Sequence, residues 1–368
     1  MPVAVKCPHC ATPLELPELP AGEAGDTSAS CPECGIRFLF DFSGADPAAV
    51  DHAMRIATTL TVPGYRIVGV LKPGGMGLLY SAVRESTQQL CALKILPPSY
   101  AMHPGLVERF RREARAMRAF RHPHVLPVIE VGEGDPRFIS MPFVVGRTLR
   151  DCEDDCFPLS LPEAAAVFAP LAEALHHVHD CGFLHRDVKP SNVFLSSKGE
   201  VILFDFGITR ELNLPSDLTD PGVNLGTPAY NAPELYERGE TSAKSDQYSL
   251  AVLLYEMLTG SLPMGVFRPA RDFCHDLPSS SSDAILRALS HDPRDRFDSV
   301  QRFAREFFRP LVNRTPAQDY RDTVRELAQI RPSLFEARSS HEVRAPQRRS
   351  RSGIGSLLAR FSFGKSDR

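Results

Sequence analysis

Three polar side chains suited to phosphoryl transfer fall within one short stretch of the sequence. Asp187 is followed by Lys189 two residues on and by Asn192 five residues on. A carboxylate can orient the proton of an attacking hydroxyl, an ammonium can steady a transferring phosphate, and an amide oxygen can ligate magnesium. Phosphoryl transfer requires mainly positioning and charge neutralisation from a protein. The stretch therefore predicts a loop that holds a hydroxyl, a phosphate and a metal ion together.

The elements that must serve such a loop occur on both sides of it in the chain. An apolar run at 201–204 leads into DFG at 205–207, which adds a second carboxylate for magnesium and a glycine where the chain turns. Upstream, Lys94 ends another apolar run, and the glycine-rich turn KPGGMG at 72–77 precedes it. Glycines allow backbone amides to approach phosphate oxygens closely. Downstream lies APE at 232–234.

These five motifs, in this order, resemble those of the eukaryotic-type Ser/Thr protein kinases, especially their bacterial members. The resemblance covers about 64–311, with HRDVKPSN at 185–192 as its catalytic loop. It implies an α+β, two-lobed protein kinase fold with a β-rich small lobe and a helical large lobe. It also implies a transferase in signal transduction, which moves the γ-phosphoryl of ATP to Ser or Thr hydroxyls of protein substrates with Mg²⁺ or Mn²⁺.

The resemblance assigns roles to the residues that match family motifs. The catalytic residues that it implies are Asp187, Lys189, Lys94 and Glu113. The magnesium ligands that it implies are Asn192 and Asp205. The nucleotide-binding residues that it implies are Leu71, Gly74, Gly75, Gly77, Leu79, Ala92, Lys94, Met141, Pro142, Val144, Asn192 and Asp205. Lys72 departs from the family pattern, because relatives usually carry glycine there, and the departure bears on nucleotide affinity.

A helix should carry Glu113 towards Lys94. Apolar residues recur at three- and four-residue spacing across 106–120, which predicts a helix with one buried face. They are Phe110, Ala114, Met117 and Phe120. Glu113 borders this face, so it would point towards the body of the small lobe, whereas the arginines of the helix would face solvent.

Arg186, next to Asp187, implies control by phosphorylation. In the family, an arginine at this position often pairs with a phosphorylated residue of the activation segment and orders that segment. Within the corresponding segment, 205–234, Thr219 is the predicted phosphosite and Ser216 the second candidate. A dimer would allow one copy to phosphorylate the other.

Further along the chain, the sequence predicts supports for the catalytic loop. Asp246 would bond the backbone of that loop from the start of a helix. Arg296 would pair with Glu234 of the APE motif. The segment 261–283 is short relative to the family, which puts the usual substrate-docking helix in question.

The N-terminal region predicts a zinc site. Two CxxC pairs stand about twenty residues apart, the spacing of a four-thiolate zinc ribbon. The ligands would be Cys7, Cys10, Cys31 and Cys34. So short a segment cannot bury a core, so metal would have to supply its folding free energy. The alternative is four unliganded thiols in a flexible tail.

Two other groups of potential ligands are weaker. Cys152 and Cys156 lie in an acidic turn, which we interpret as a solvated loop, with a second metal site as the alternative. Three histidines share one predicted helix, 161–180, but no added carboxylate or thiolate accompanies them. They are His176, His177 and His179.

Composition and charge place the chain among ordinary soluble proteins. The net charge of −3 implies no general attraction to nucleic acid or anionic lipid. Because the sequence shows no signal pattern and no apolar run long enough to span a bilayer, we expect a cytoplasmic protein. Nine cysteines, four of them in CxxC pairs, suit a reducing compartment with a metal site.

The sequence divides into five parts. They are a zinc-ribbon-like module at 1–42, a linker at 43–63, the kinase-like domain at 64–311, a helix at 312–337 and a basic disordered tail at 338–368. An active kinase is the main hypothesis, because every group that the chemistry requires is present. The alternative is a pseudokinase scaffold, in which the kinase fold and the zinc ribbon only bind other proteins. Lys72 is the feature that favours the scaffold.

Overall fold

The computed structural model describes most of the kinase-like domain and parts of the N-terminal module, all within one unit, Met1–Ala337. The residues described are 3–7, 12–16, 27–33, 37–40, 60–72, 78–96, 101–206 and 228–311. The helix predicted at 312–337, the tail at 338–368 and most of the linker at 43–63 lie outside them, so these assignments stay predictions.

Two antiparallel β-hairpins make up the described part of the N-terminal module. The first pairs β1 (Val3–Lys6) with β2 (Pro13–Leu16). The second pairs β3 (Thr27–Ser30) with β4 (Arg37–Phe40). Each CxxC pair falls in sequence between the two strands of one hairpin.

The small lobe is built on a twisted sheet. The strands that the kinase-like domain contributes are β5 (Tyr65–Lys72), β6 (Leu78–Arg84), β7 (Gln89–Ile95), β8 (Glu130–Gly132) and β9 (Phe138–Pro142). These strands pair antiparallel with their neighbours. In the part of the chain described, the sheet has seven strands, because β1 pairs in parallel with β7 and brings β2 with it.

Successive side chains of a strand point to opposite faces of a sheet. Apolar side chains of this sheet pack into a core on each face. One face packs around Tyr80, Ala82, Cys91, Leu93 and Ile95. The other face contributes Ala92 and Ile139 to the main core, which also includes helix α1 (Pro104–Ala119).

Helix α1 confirms the helix predicted at 106–120. It begins at Pro104, because proline fits the first helical turn, where no backbone amide has a partner within the helix. The four predicted apolar residues are all buried: Phe110, Ala114, Met117 and Phe120. Arg115 and Arg118 are exposed, in agreement with the predicted solvent face.

The large lobe is mainly helical. Its helices are α2 (Glu153–Cys156), α3 (Leu161–Asp180), α4 (Pro233–Arg238), α5 (Ala243–Thr259), α6 (Ser279–Ala288) and α7 (Val300–Phe308). A small antiparallel sheet has the order β10 (Gly146–Thr148), β11 (Val193–Ser196) and β12 (Val201–Leu203). Short 3₁₀ turns include Arg150–Cys152, Pro190–Asn192, Pro228–Tyr230 and Ala270–Asp272.

Helix α5 forms the centre of the large lobe. It is buried on nearly all sides, as expected for a helix that is apolar around most of its circumference. Residues 250–258 therefore lie in a buried helix. It ends at Gly260, whose φ of 69° is the left-handed conformation that glycine adopts readily. None of the helices in the described ranges is long and apolar enough to cross a bilayer.

The interpretation of Cys152 and Cys156 as part of a solvated loop is wrong. Both side chains are buried, because the turn folds as consecutive 3₁₀ and α-helical turns against the core. Arg147 donates a hydrogen bond to the Cys156 sulfur at 3.3 Å, and Cys152 donates to the Thr148 carbonyl at 3.4 Å. Among the described residues, no group of three or more His, Cys, Asp or Glu side chains is arranged to hold a metal ion.

The segment between α5 and α6 has little regular structure. This stretch, 260–278, is described throughout and forms one 3₁₀ turn, Ala270–Asp272, but no α-helix. Tyr255 of α5 anchors it by donating a hydrogen bond to the Arg268 carbonyl at 2.8 Å and by packing edge-on against Phe267. The segment that is short relative to the family therefore begins with an irregular loop.

Candidate active site

The catalytic loop brings the three predicted polar residues into direct contact. The Asp187 carboxylate lies 2.7 Å from the Lys189 ammonium and accepts a hydrogen bond of 2.8 Å from the Asn192 amide nitrogen. The same nitrogen donates to the Asp187 carbonyl at 2.7 Å. The 3₁₀ turn Pro190–Asn192 folds the loop back so that residues five positions apart can meet.

A second pair joins the two lobes across the cleft. Lys94 of β7 lies 2.5 Å from Asp205, although 111 residues separate them in the chain. Asp205 follows β12 and has a left-handed backbone (φ 56°), which is uncommon for a residue other than glycine. The Phe204 amide donates to the Asn192 carbonyl at 3.1 Å, so the residue before Asp205 is bonded to the catalytic loop.

The donor set on these elements fits magnesium. Asp205 offers carboxylate oxygens, and Asn192 offers its amide oxygen, because its amide nitrogen donates to Asp187. Mg²⁺ prefers such oxygen ligands and is usually bound through one or two side chains together with substrate phosphates.

Asp246 bonds the backbone of the catalytic loop, as predicted. Its carboxylate accepts hydrogen bonds from the backbone amides of His185 at 2.8 Å and Arg186 at 2.7 Å. These bonds stabilise the left-handed conformation of Arg186 (φ 67°). Burial by itself raises the pKa of the Asp246 carboxyl, but its interactions with His179 and with His185 hold that pKa below its ordinary value. His179, 2.8 Å away, is thus a hydrogen-bonding partner of Asp246.

His185 is buried beneath the loop in its neutral form. Its Nε2 lies 3.1 Å from the Phe204 carbonyl, and its Nδ1 accepts the Asp187 amide at 3.3 Å. One ring nitrogen must therefore donate while the other accepts, which only the neutral imidazole can do. Burial lowers the pKa of His185, although the Asp246 and Asp187 carboxylates act in the opposite direction.

This geometry predicts a loss of stability in mild acid. Because the pKa of His185 is lowered by folding, the unfolded chain takes up the proton first, and stability present above about pH 6.5 is lost as the pH falls below it. We expect Tm to decrease between about pH 7 and pH 5. His185→Phe removes the titrating group, so its Tm should be lower at pH 7 but should change less over this range. If Tm changed equally with pH in the wild type and in His185→Phe, His185 would not be the titrating group.

The predicted adenine-side residues lie on the small-lobe sheet and on the short segment that follows β9. Ala92 pairs across the sheet with Met141, and both are buried. Leu79 pairs with Lys94. Leu71, Leu79 and Val144 pack against the main core as partly buried residues, and Pro142 ends β9.

Several predicted site residues lie outside the ranges that the structure describes. They are Gly74, Gly75, Gly77, Ser216, Thr219, Cys10 and Cys34. The side chains of Lys72 and Glu113 are not described either, although both backbones are. The Lys94–Glu113 pair and the phosphosites therefore stay predictions.

The two cysteines of the N-terminal module that are described occupy equivalent places. Cys7 directly follows β1 and Cys31 directly follows β3. Their exposures are only 2% and 1%. The Cys7 amide donates to the Thr12 carbonyl at 2.8 Å, which closes the turn that contains the first CxxC pair.

One network at the site was not predicted from the sequence. Tyr230, just before the APE motif, donates a hydrogen bond of 2.5 Å to Glu256 of α5, and Arg150 donates to the Tyr230 hydroxyl at 3.4 Å. Burial raises the pKa of both Tyr230 and Glu256. The network fastens the end of the activation segment to the central helix. A glutamate inside an apolar helix was the signal that could have indicated it.

The predicted pair between Arg296 and Glu234 is confirmed. The two groups form a bidentate pair with distances of 2.9 and 2.8 Å, and their side chains are 0% and 7% exposed. Ser245 also donates to Glu234, at 2.8 Å. Burial alone would raise the pKa of Glu234, but the hydrogen bonds from Arg296 and Ser245 hold it below its ordinary value.

Comparisons with known proteins agree with this site. The family described as protein kinase domain matches residues 65–330. The chain is 34% identical over 272 residues to the serine/threonine-protein kinase PknF of Mycobacterium tuberculosis, covering 68% of this chain and 57% of PknF. It is 40% identical over 205 residues to the serine/threonine-protein kinase pkn2 of Myxococcus xanthus, covering 54% of this chain and 25% of pkn2.

Solved structures agree as well. The crystal structure of the Mycobacterium tuberculosis PknI kinase domain matches with a TM-score of 0.55 and 33% identity, covering 68% of this chain and 97% of that one. The chain spans less than two thirds of the length of the curated relatives named above. Because the family match covers well over half of the sequence, and because Lys94 contacts Asp205 while Asp187 contacts Asn192, the chain belongs to the protein kinase family.

Proposed function

We propose that this chain is an active Ser/Thr protein kinase, which transfers the γ-phosphoryl of ATP to Ser or Thr hydroxyls of proteins. The observation that carries the proposal is the contact of Asp187 with both Lys189 and Asn192 on one loop. A carboxylate at this position can accept the proton of an acceptor hydroxyl, with an ammonium 2.7 Å away to neutralise the phosphate. The named relatives are serine/threonine-protein kinases, which supports the same acceptor class.

ATP would occupy the cleft between the two lobes. Lys94 would exchange its contact with Asp205 for the α- and β-phosphates, and Glu113 would orient it. Asn192 and Asp205 would hold Mg²⁺, which when bound neutralises charge on the phosphate oxygens. The backbone of Gly74, Gly75 and Gly77 would cover the phosphates. The adenine would pack among Leu71, Leu79, Ala92, Met141, Pro142 and Val144.

Control would act through the activation segment. In this proposal Thr219, or secondly Ser216, becomes phosphorylated by a second copy of the chain in a transient dimer, and the phosphate pairs with Arg186. We place the protein in the cytoplasm, as its sequence favours.

The N-terminal module would bind one Zn²⁺ through Cys7, Cys10, Cys31 and Cys34 and would offer a surface to a protein partner. The burial of Cys7 and Cys31 at equivalent ends of two strands supports this ligand set. Elemental analysis of the purified chain should find one zinc per chain. Cys31→Ser should lower that content, whereas Cys181→Ser, at an exposed cysteine of the large lobe, should not.

The function is tested by incubating the purified chain with Mg²⁺ and γ-labelled ATP, alone and with a generic basic protein acceptor. We expect label on Ser and Thr, with mapped sites that include Thr219 or Ser216. Tight binding of Mg-ATP without any label would instead support the scaffold alternative. Label confined to tyrosine would contradict the Ser/Thr assignment.

A further inference from the structure

The N-terminal hairpins contact the same sheet that forms the kinase small lobe. We name these hairpins, β1 to β4, the cysteine module. Lys6, the last residue of β1, pairs in parallel with Gln89, the first residue of β7. In addition, β4 approaches β5. The cysteine module thus meets the kinase sheet at two strands.

Both of these strands lead to groups that the proposed function places on ATP phosphates. Strand β7 begins at Gln89 and carries Lys94 near its other end. Strand β5 ends at Lys72, where the glycine-rich turn begins. Strand β6 pairs with both of them, so the three strands form one hydrogen-bonded ladder. A contact that restrains β5 or β7 therefore also restrains the phosphate-binding side of the cleft.

The two described cysteines, Cys7 and Cys31, lie in the two hairpins that make these contacts. Cys7 directly follows Lys6, and Cys31 directly follows β3, which pairs along its length with β4. A ligand of the Cys7 thiol would hold the chain next to the position where Lys6 meets Gln89, and a ligand of the Cys31 thiol would hold the hairpin to which β4 belongs. In the described residues, the pairing of β1 with β7 involves a single residue pair.

We propose that the cysteine module docks on the small-lobe sheet and lowers the KM for ATP by holding β5 and β7 in their binding conformation. The partner of this surface is the chain's own N-terminal module. The metal dependence of docking, by which loss of metal releases the two strands, rests on the zinc site proposed above. Docking itself does not rest on the zinc site, because it follows from the strand pairing.

The test uses the full chain and two matched proline variants. Lys6→Pro places proline at the residue that pairs with both Gln89 and Pro13 and leaves all four cysteines in place. Val3→Pro places proline in the same strand, at a residue that pairs with Leu16 and not with β7. Each protein is measured for amide hydrogen exchange at 65–72 and 89–95, for KM and kcat, and for zinc content.

We expect faster exchange at both strands in Lys6→Pro and an ATP KM raised by about fivefold or more, the low end of typical coupling between sites. The kcat and the exchange of α5 should not change, and Val3→Pro should resemble the wild type. Treating the wild type with a zinc chelator should reproduce the Lys6→Pro result.

Unchanged exchange at both strands in Lys6→Pro would overturn docking. So would an equal change in Val3→Pro, which would indicate a general disturbance of the hairpin. If the wild type contains no zinc while Lys6→Pro still raises the KM, docking holds and the zinc proposal fails. If no variant transfers phosphate and the wild type is also inactive, the exchange data still decide docking, and the kinase proposal fails separately.

Discussion

Asp187→Asn is expected to lower kcat for phosphoryl transfer by about 10²–10⁴-fold, the usual contribution of a positioned general base. Asparagine keeps the size of the side chain but cannot accept the proton of an acceptor hydroxyl. It also removes the negative charge that lies 2.7 Å from Lys189. Initial rates with a peptide acceptor at saturating Mg-ATP measure the effect.

The same variant should still bind Mg-ATP, because Asp187 is not among the proposed ligands of magnesium or of ATP. Calorimetric titration with Mg-ATP checks this. Asp298→Asn is a matched control, since it makes the same chemical change at an exposed carboxylate whose partner is Arg302. The proposed role of Asp187 would be wrong if its variant kept a kcat within about tenfold of the wild type.

The largest effect on stability is expected from Arg296→Met. Arg296 is fully buried and donates to Glu234 and to the backbone carbonyls of Lys244, Ser290 and His291. Removing it leaves a buried carboxylate without its cation, which typically costs about 3–5 kcal/mol. For a domain of this size such a loss lowers Tm by roughly 6–20 °C.

Two comparisons separate this charge effect from lost packing. Glu234→Gln combined with Arg296→Met removes both charges, so Tm should recover part of the way towards the wild type. Arg294→Ala removes an arginine from an exposed pair with Asp292, and its Tm should stay at the wild-type value. Thermal melts of the four proteins measure this. If Arg294→Ala and Arg296→Met had the same Tm, burial of the ion pair would not be what stabilises this region.

Local spacing was enough to predict the chemistry of the catalytic loop. Asp187, Lys189 and Asn192 all lie within the short stretch 187–192, so local folding of the loop alone can bring them together. The buried face of α1 was equally predictable from the sequence, because a helix places every third or fourth residue on one face. The burial of Cys152 could not be predicted from the sequence, since an acidic turn of this length can either face water or fold against a core.

The sequence by itself determined the family resemblance, the order of the motifs and the residue types available for phosphoryl transfer. Tertiary structure alone decided which of them meet. The contact between Lys94 and Asp205 spans 111 residues, and that of Tyr230 with Glu256 spans 26. The pairing of Lys6 with Gln89 likewise joins two separate modules. Such contacts depend on how whole elements pack, and no local pattern along a chain encodes the packing of elements that lie far apart in it.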